Sequence, residues 1–311
     1  PRNEQQTQLP MTGSDLLGDV FVKYEFIDVN KPLLFTFSPA GTNIQEQDLH
    51  PDFAPWGYHL AQKQNVNIIA FQHLGKSNWF RNRNLIFFLE QLSTLLTPFN
   101  CRLGYGLSRG GFAVGAFAKL LKLNQVLFFH PVSTKNKELV PWDDRSSTDI
   151  AQQFDWECDY HDLDLGGAQG YIIYDPTNRI DRMHAKRYKQ LTHLRVFGMG
   201  HGTHATYLNK FGFYKQVAVD FIQHQQIDIA QFRLQTKTLR FKEDYYKRLN
   251  KANANSVHRN ELLSKAHNIL IDEKKVHIQE HQKKLDIQPL IDVALKHQNE
   301  HPADAIQLLE V

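Results

Sequence analysis

A mostly parallel β-sheet with helices on both faces, followed by a smaller α-helical module, is the α/β fold class that this 311-residue sequence predicts. Two patterns predict it. Between about residue 56 and residue 223, short strands that are apolar on both sides alternate with helical segments, as burial under two helical layers requires. From about Ile227 onward the strand pattern stops, and Lys, Asn, Gln and His accompany apolar residues at helical spacing, such as Leu262, Leu263, Ala266, Ile269 and Leu270. Size agrees, since the length allows two domains or one large one. An aromatic fraction of 12% beside 41% hydrophobic residues excludes a disordered chain.

Taken in order, Met11 to Gly18 reads as turn-like. Val20 to Ile27 and Leu33 to Phe37 read as strands joined through Asn30-Lys31-Pro32, hence as a hairpin. Alternation follows: a helix around Trp56 to Lys63, a strand Val66 to Phe71, a helix Leu85 to Leu96, a strand Arg102 to Gly106, a helix Gly110 to Leu123 and a strand Gln125 to Phe129. Regularity lapses from Pro131 to about Gly170, which marks an insertion. It resumes with a strand Tyr171 to Tyr174, a helix Met183 to Leu191, a strand Leu194 to Phe197 and a helix Tyr207 to Gln223. Pro289 and Pro302 each fit the first position of a short helix, Leu290 to Lys296 and Ala303 to Leu309. The resulting plan is an extension over 1–18, an α/β domain over 19–225 with an insertion over 131–169, and a helical module over 226–311. A brace packed on the main domain is the preferred role of that module, with a protein partner or self-association as the other.

Charge and cysteine content exclude several functions. Lys and Arg exceed Asp and Glu by only three, which predicts no nucleic-acid partner. No apolar run approaches the roughly 18 residues needed to cross a bilayer. Cys101 and Cys158 are too few for a disulfide framework and read as reduced and structural. The chain opens on Pro1, an end from which no compartment can be read, and the cytoplasm is the default expectation.

The sharpest chemical signal is Gly106-Leu107-Ser108-Arg109-Gly110, set between a predicted strand and a predicted helix. It matches the G-x-S-x-G nucleophile elbow, and on these residues the chain resembles the α/β-hydrolase superfamily of serine hydrolases. Glycines two residues either side let the turn tighten around Ser108. Phosphate binding fits less well, because no Lys-Ser/Thr follows the glycines. The resemblance implies the chain order serine, acid, histidine, with the acid after a late strand and the histidine after the last one. His201, in Gly200-His201-Gly202, is the expected base, and His204 is expected in the next helix. The commonest spacing puts the acid at Asn178, which cannot carry charge. Asp175, at the strand end, is the first choice, and Asp181 is the second. The implied oxyanion donors are the backbone N–H groups of Arg109 and of Ala40, in the loop Ser38-Pro39-Ala40-Gly41. The Arg109 guanidinium is open to two roles, holding an anionic substrate or making a structural ion pair.

Those residues predict a serine hydrolase, an esterase working through an acyl-enzyme on a small-molecule or glycan ester, without cofactor or metal. Acyl transfer to a hydroxyl at the same site is a variant, and a non-catalytic binding or scaffold protein using its helical tail is the rival. The insertion holds Trp142, Phe154, Trp156 and Tyr160 interleaved with Asp143, Asp144, Arg145, Asp155, Glu157, Asp159 and His161. Such a mixture suits a polar or carbohydrate-linked substrate, or else anchors a surface loop. With Pro141-Trp142 and Tyr174-Asp175-Pro176, the pattern is also similar to hydrolase-like proteins associated with bacterial surface polysaccharides. His277-Ile278-Gln279-Glu280-His281 spells a zinc-peptidase pattern, but its polar surroundings favour a solvated helix face.

Overall fold

The computed structural model describes residues 9–42, 44–75, 79–145, 159–201, 212–238, 245–246, 249 and 257–300, with side chains described as far as Glu280. The chain divides into two compact units, Pro1–Lys237 and Thr238–Val311.

The first unit is built on an eight-stranded sheet: β1 (Met11–Leu17), β2 (Val20–Phe26), β3 (Leu33–Phe37), β4 (Asn67–His73), β5 (Arg102–Leu107), β6 (Gln125–Phe129), β7 (Gln169–Tyr174) and β8 (Thr192–Arg195). Their order across the sheet is β1-β2-β4-β3-β5-β6-β7-β8. The β1–β2 and β2–β4 pairs are antiparallel and all the others parallel. The helices are α1 (Tyr58–Gln64), α2 (Arg83–Leu95), α3 (Arg109–Phe117), α4 (Arg179–Ala185), α5 (Phe213–His224) and α6 (Ile229–Thr238). The central strands are buried throughout β3 and β4, as their unbroken apolar runs require. Phe35, Phe37, Phe71, Phe117 and Phe128 fill one continuous core between the sheet and its helices.

The N-terminal expectations need two corrections. Met11 to Leu17 forms a strand, paired with β2 through a two-residue connection, Gly18-Asp19, in which Gly18 takes φ 66°. The strand is hard to see in sequence because it is a mostly exposed edge, rich in small and polar residues. The expected β2–β3 hairpin does not form, because β4 lies between the two strands. The buried side chain of Asn67, at the start of β4, fixes this crossing. Its Oδ1 accepts from Ile27 N–H at 2.7 Å, and its Nδ2 donates to the carbonyls of Asp28 (2.7 Å) and Lys31 (2.9 Å).

Two further differences concern helices. The compact unit continues past the expected end at 225, since Phe232 of α6 is buried with its ring 5.3 Å from that of Phe213. In the second unit a single helix, α7 (Val257–Glu300), runs through Pro289, where a new helix was expected to start. An interior proline deletes one backbone hydrogen bond but leaves the turns on either side paired, so a long helix survives it. The expected helix over residues 303–309 lies outside the described residues.

Candidate active site

Strand β5 runs into α3 through Ser108, whose backbone is held at φ 51°, ψ −114°. That conformation is costly for a residue with a Cβ, so its surroundings must over-determine it. Those surroundings are identifiable. Ser108 N–H donates to the Phe129 carbonyl at 3.1 Å, and the Ser108 carbonyl accepts from Val132 N–H at 3.1 Å, so the segment leaving β6 brackets the serine on both sides. The glycines act as the motif predicts. A Cβ at Gly106 would lie 2.6 Å from the Gly111 Cα, and one at Gly110 would overlap the Phe37 carbonyl oxygen.

The Ser108 Oγ–H donates to His201 Nε2 at 3.0 Å, and His201 Nδ1–H donates to Asp181 Oδ1 at 2.7 Å. These partners assign the tautomer, with the proton on Nδ1 and the lone pair of Nε2 facing the hydroxyl. The imidazole is about a quarter exposed, whereas Asp181 is buried.

The first-choice acid is therefore corrected. Asp175 does not face the imidazole. Its Oδ1 accepts from Thr177 N–H (2.8 Å) and Thr177 Oγ1 (2.6 Å), while its Oδ2 accepts from Gly200 N–H at 2.8 Å. Asp175 thus anchors the loop that carries His201. Asn178 caps α4, its Oδ1 accepting from Ile180 N–H and Asp181 N–H at 3.1 Å each. Capping puts Asp181 in the first turn with its side chain toward the histidine loop, so the residue first explained as a helix-terminal carboxylate is also the imidazole's partner. His204 lies outside the described residues.

Of the two roles open to the Arg109 guanidinium, the structure favours a structural one. It is 1% exposed, so it cannot greet an anionic substrate in bulk solvent. Its Nη2 donates to the Pro39 carbonyl at 3.0 Å and lies 3.5 Å from the Ser38 carbonyl and Oγ. Burial lowers its pKa to about 10, opposed by the charge of Asp19, so it stays cationic at neutral pH. Ala40 sits exposed in the turn just beyond.

Three features escaped the sequence reading. His130, in the segment bracketing Ser108, is fully buried with its ring 4.5 Å from that of His201, and neither of its ring nitrogens has a hydrogen-bond partner among the described residues. Burial, with the nearby His201 adding to it, holds its pKa well below the usual histidine value, so it is neutral. The second feature is a buried ionic network behind Asp181. Asp143 accepts from Lys135 Nζ at 2.9 Å, from Arg145 Nε at 2.8 Å and Nη2 at 2.9 Å, and from His184 Nε2 at 3.0 Å. Burial opposes the Asp143 charge, but the Arg145 and His184 hydrogen bonds prevail and hold its pKa far below the carboxylate range. Arg145 Nη1 also lies 3.7 Å from Asp181 Oδ1. Thirdly, Ser133, His184 and Asp143 mimic a catalytic set, with Ser133 Oγ 2.9 Å from His184 Nδ1. All three are fully buried, so no substrate reaches them.

Of the two roles open to the insertion, its described residues fit the anchoring one. Asp143 and Arg145 are spent in the network, the Trp142 ring lies 4.6 Å from that of His184, and Tyr160 lies 5.4 Å from Phe117. These described residues anchor the segment to the body. Phe154, Asp155, Trp156 and Glu157 lie outside the described residues. His277 is strongly exposed beside Glu280 at 3.7 Å, and no group of three or more potential metal ligands occurs among the described residues.

The strand order, the strained serine between β5 and α3, an acid beyond β7 and a histidine beyond β8 are now all in place. The chain has an α/β-hydrolase-like fold. No family model and no curated protein matches the sequence. Among solved structures, the chain is similar to the capsule O-acetyltransferase of Neisseria meningitidis serogroup A, at 13% identity and a TM-score of 0.46, over 70% of this chain and 97% of that one. It is similar to the fluorophosphonate-binding serine hydrolase F of Staphylococcus aureus, at 11% identity and 0.42, over 69% and 98%. It is also similar to Est1E from Butyrivibrio proteoclasticus, at 12% identity and 0.42, over 73% and 99%. Within this hydrolase-like fold, no described helix is long and apolar enough to cross a membrane.

Proposed function

We propose that this protein is a serine hydrolase acting on carboxylic esters through an acyl-enzyme. The observation that carries the reading is the unbroken hydrogen-bonded chain from Ser108 Oγ through His201 to Asp181 Oδ1. A serine hydroxyl is a poor nucleophile until a base removes its proton as it attacks. In this reading Ser108 Oγ bonds to the ester carbonyl carbon while its proton passes to His201 Nε2, and Asp181 stabilises the imidazolium so formed. The carbonyl electrons become the oxyanion, received by the Arg109 and Ala40 backbone N–H groups. Collapse expels the alcohol, which takes the proton from His201. Water, activated by the same imidazole, then releases the acid and restores Ser108.

A hydroxyl in place of that water makes the reaction an acyl transfer, with identical steps on the protein. A polar or carbohydrate-linked ester is the proposed substrate class. With Asp143, Arg145, Trp142 and Tyr160 engaged in the body, that choice rests on the sequence of the remaining insertion. The test is labelling by a fluorophosphonate probe together with turnover of a panel of acetyl esters, simple and sugar-linked. Labelling abolished by Ser108→Ala, with loss of turnover by several orders of magnitude, is expected. Full-length, folded protein that takes up no label would overturn the enzyme reading and leave a binding protein on this fold.

A further inference from the structure

Resting on the serine-hydrolase reading above, we infer that Arg109 is a positioning residue whose side chain aims the Ala40 N–H, so that this one residue builds both halves of the oxyanion hole. The direction of that N–H is set at the peptide bond between Pro39 and Ala40. That bond is trans, since the cis bond among the described residues is Leu9-Pro10. In a planar trans peptide the C=O and N–H point in opposite directions. Fixing the Pro39 carbonyl therefore fixes the Ala40 N–H.

Two donors hold that carbonyl. Arg109 Nη2 reaches it at 3.0 Å from the buried side, and Thr42 Oγ1 reaches it at 2.8 Å. With the carbonyl turned inward to a guanidinium that is 1% exposed, the N–H of Ala40 is turned away from it, and Ala40 is exposed. The preceding residue is tied down as well. Ser38 N–H donates to the Phe71 carbonyl at 2.9 Å, and Ser38 Oγ accepts from His73 N–H at 3.0 Å. The loop is thus anchored to β4 at Ser38 and to the elbow at Pro39.

Proximity of the elbow to this loop is built into the backbone. Gly110 packs so closely on Phe37 that a Cβ there would overlap its carbonyl oxygen. The residue after the nucleophile is consequently within reach of the loop after β3. Its main chain opens α3 beside Ser108, and its side chain turns back to the loop.

The chemistry of the pairing also suits the task. Arg109 Nη2 meets neutral carbonyls and a hydroxyl in this loop, and the guanidinium carbon lies 5.5 Å from the centre of the Phe80 ring. A cation bonded to a peptide carbonyl polarises that peptide and strengthens its N–H as a donor. Charge developing on the substrate oxygen would then meet a donor that is both oriented and polarised before the reaction starts. A lysine could supply the charge, but its flexible stem would not fix a donor at the place that the rigid guanidinium gives Nη2.

The test compares full-length wild type, Arg109→Met, Arg109→Lys and Thr42→Val. The readouts are kcat and KM for p-nitrophenyl acetate and the inhibition constant of a trifluoromethyl ketone, which forms a hemiketal resembling the tetrahedral intermediate. The backbone N–H of residue 109 survives every substitution, so any loss reports the side chain. Arg109→Met is expected to lower kcat roughly 100-fold with KM within about twofold, and to weaken the ketone in parallel with kcat. Arg109→Lys is expected to recover about a third of that loss on a logarithmic scale. Thr42→Val, which removes the second donor without touching the buried cation, is expected to lower kcat severalfold and serves where Arg109→Met does not fold. Wild type that is labelled at Ser108 while Arg109→Met or Thr42→Val keeps its kcat overturns the inference and leaves the enzyme reading intact. A rise in KM alone also overturns it. Wild type that takes up no label overturns both.

Discussion

At the residue scale, two carboxylates six positions apart divide the work around one histidine. Asp181 meets the imidazole at Nδ1, and Asp175 holds the loop through Gly200. Their substitutions should therefore separate. Asp181→Asn presents an amide that cannot stabilise an imidazolium, and kcat should fall by about 10⁴-fold with melting nearly unchanged. Asp175→Asn leaves the Ser108–His201–Asp181 contacts in place but weakens a charge-assisted bond to a backbone N–H. It should cost about 1 to 3 kcal/mol in stability and roughly tenfold in kcat. Steady-state kinetics beside thermal melts would check both, and equal kinetic losses would refute the division. In sequence, Asp175 looked better because it ends the strand. The distinguishing signal was Asn178 as a cap three residues before Asp181, which turns an exposed-looking carboxylate toward the neighbouring loop.

At the scale of elements, the elbow is held by its neighbours rather than by itself. Ser108 keeps its positive φ because Phe129 and Val132 bond its backbone from both sides. Ser108→Gly should accordingly be more stable than Ser108→Ala by about 1 kcal/mol, since glycine carries no Cβ to strain. Equal denaturant midpoints for the two variants would show that the strain is not stored there. The pairing of Ser108 with His201 and the flanking glycines were legible because these residues sit in a contiguous motif and at strand ends. His130, Lys135, Asp143 and His184 were not, because each touches residues from 8 to 71 positions away only after the sheet is assembled. Likewise β1 was lost to its exposed edge character, while the buried parallel strands announced themselves through unbroken apolar runs.

For the molecule as a whole, the buried network ties stability to pH. Burial lowers the His184 pKa to about 4, against an unfolded value near 6.5, even though Asp143 pulls the other way. A depressed folded pKa stabilises the native state above the unfolded pKa, and that contribution is lost as pH falls toward the folded one. Between pH 7 and pH 4.5 the native state should lose about 2 kcal/mol from this residue alone, with His130 adding in the same direction. Urea titrations of wild type and His184→Asn at both pH values would test this, since a wild type as stable at 4.5 as at 7 contradicts it. The compact unit ending at Lys237 makes a second demand. Chains cut after residue 238 should melt cooperatively, whereas chains cut after 225 lose buried Phe232 and should be less stable by about 3 to 5 kcal/mol.

The buried network also sets rules for anyone who wishes to retarget this scaffold. Because Arg145 pairs with Asp143 and also lies 3.7 Å from Asp181, a foreign loop spliced in just upstream of them would disturb the surroundings of the carboxylate that meets His201. Any redesign of this scaffold therefore has to keep Asp143 and Arg145 together as a pair.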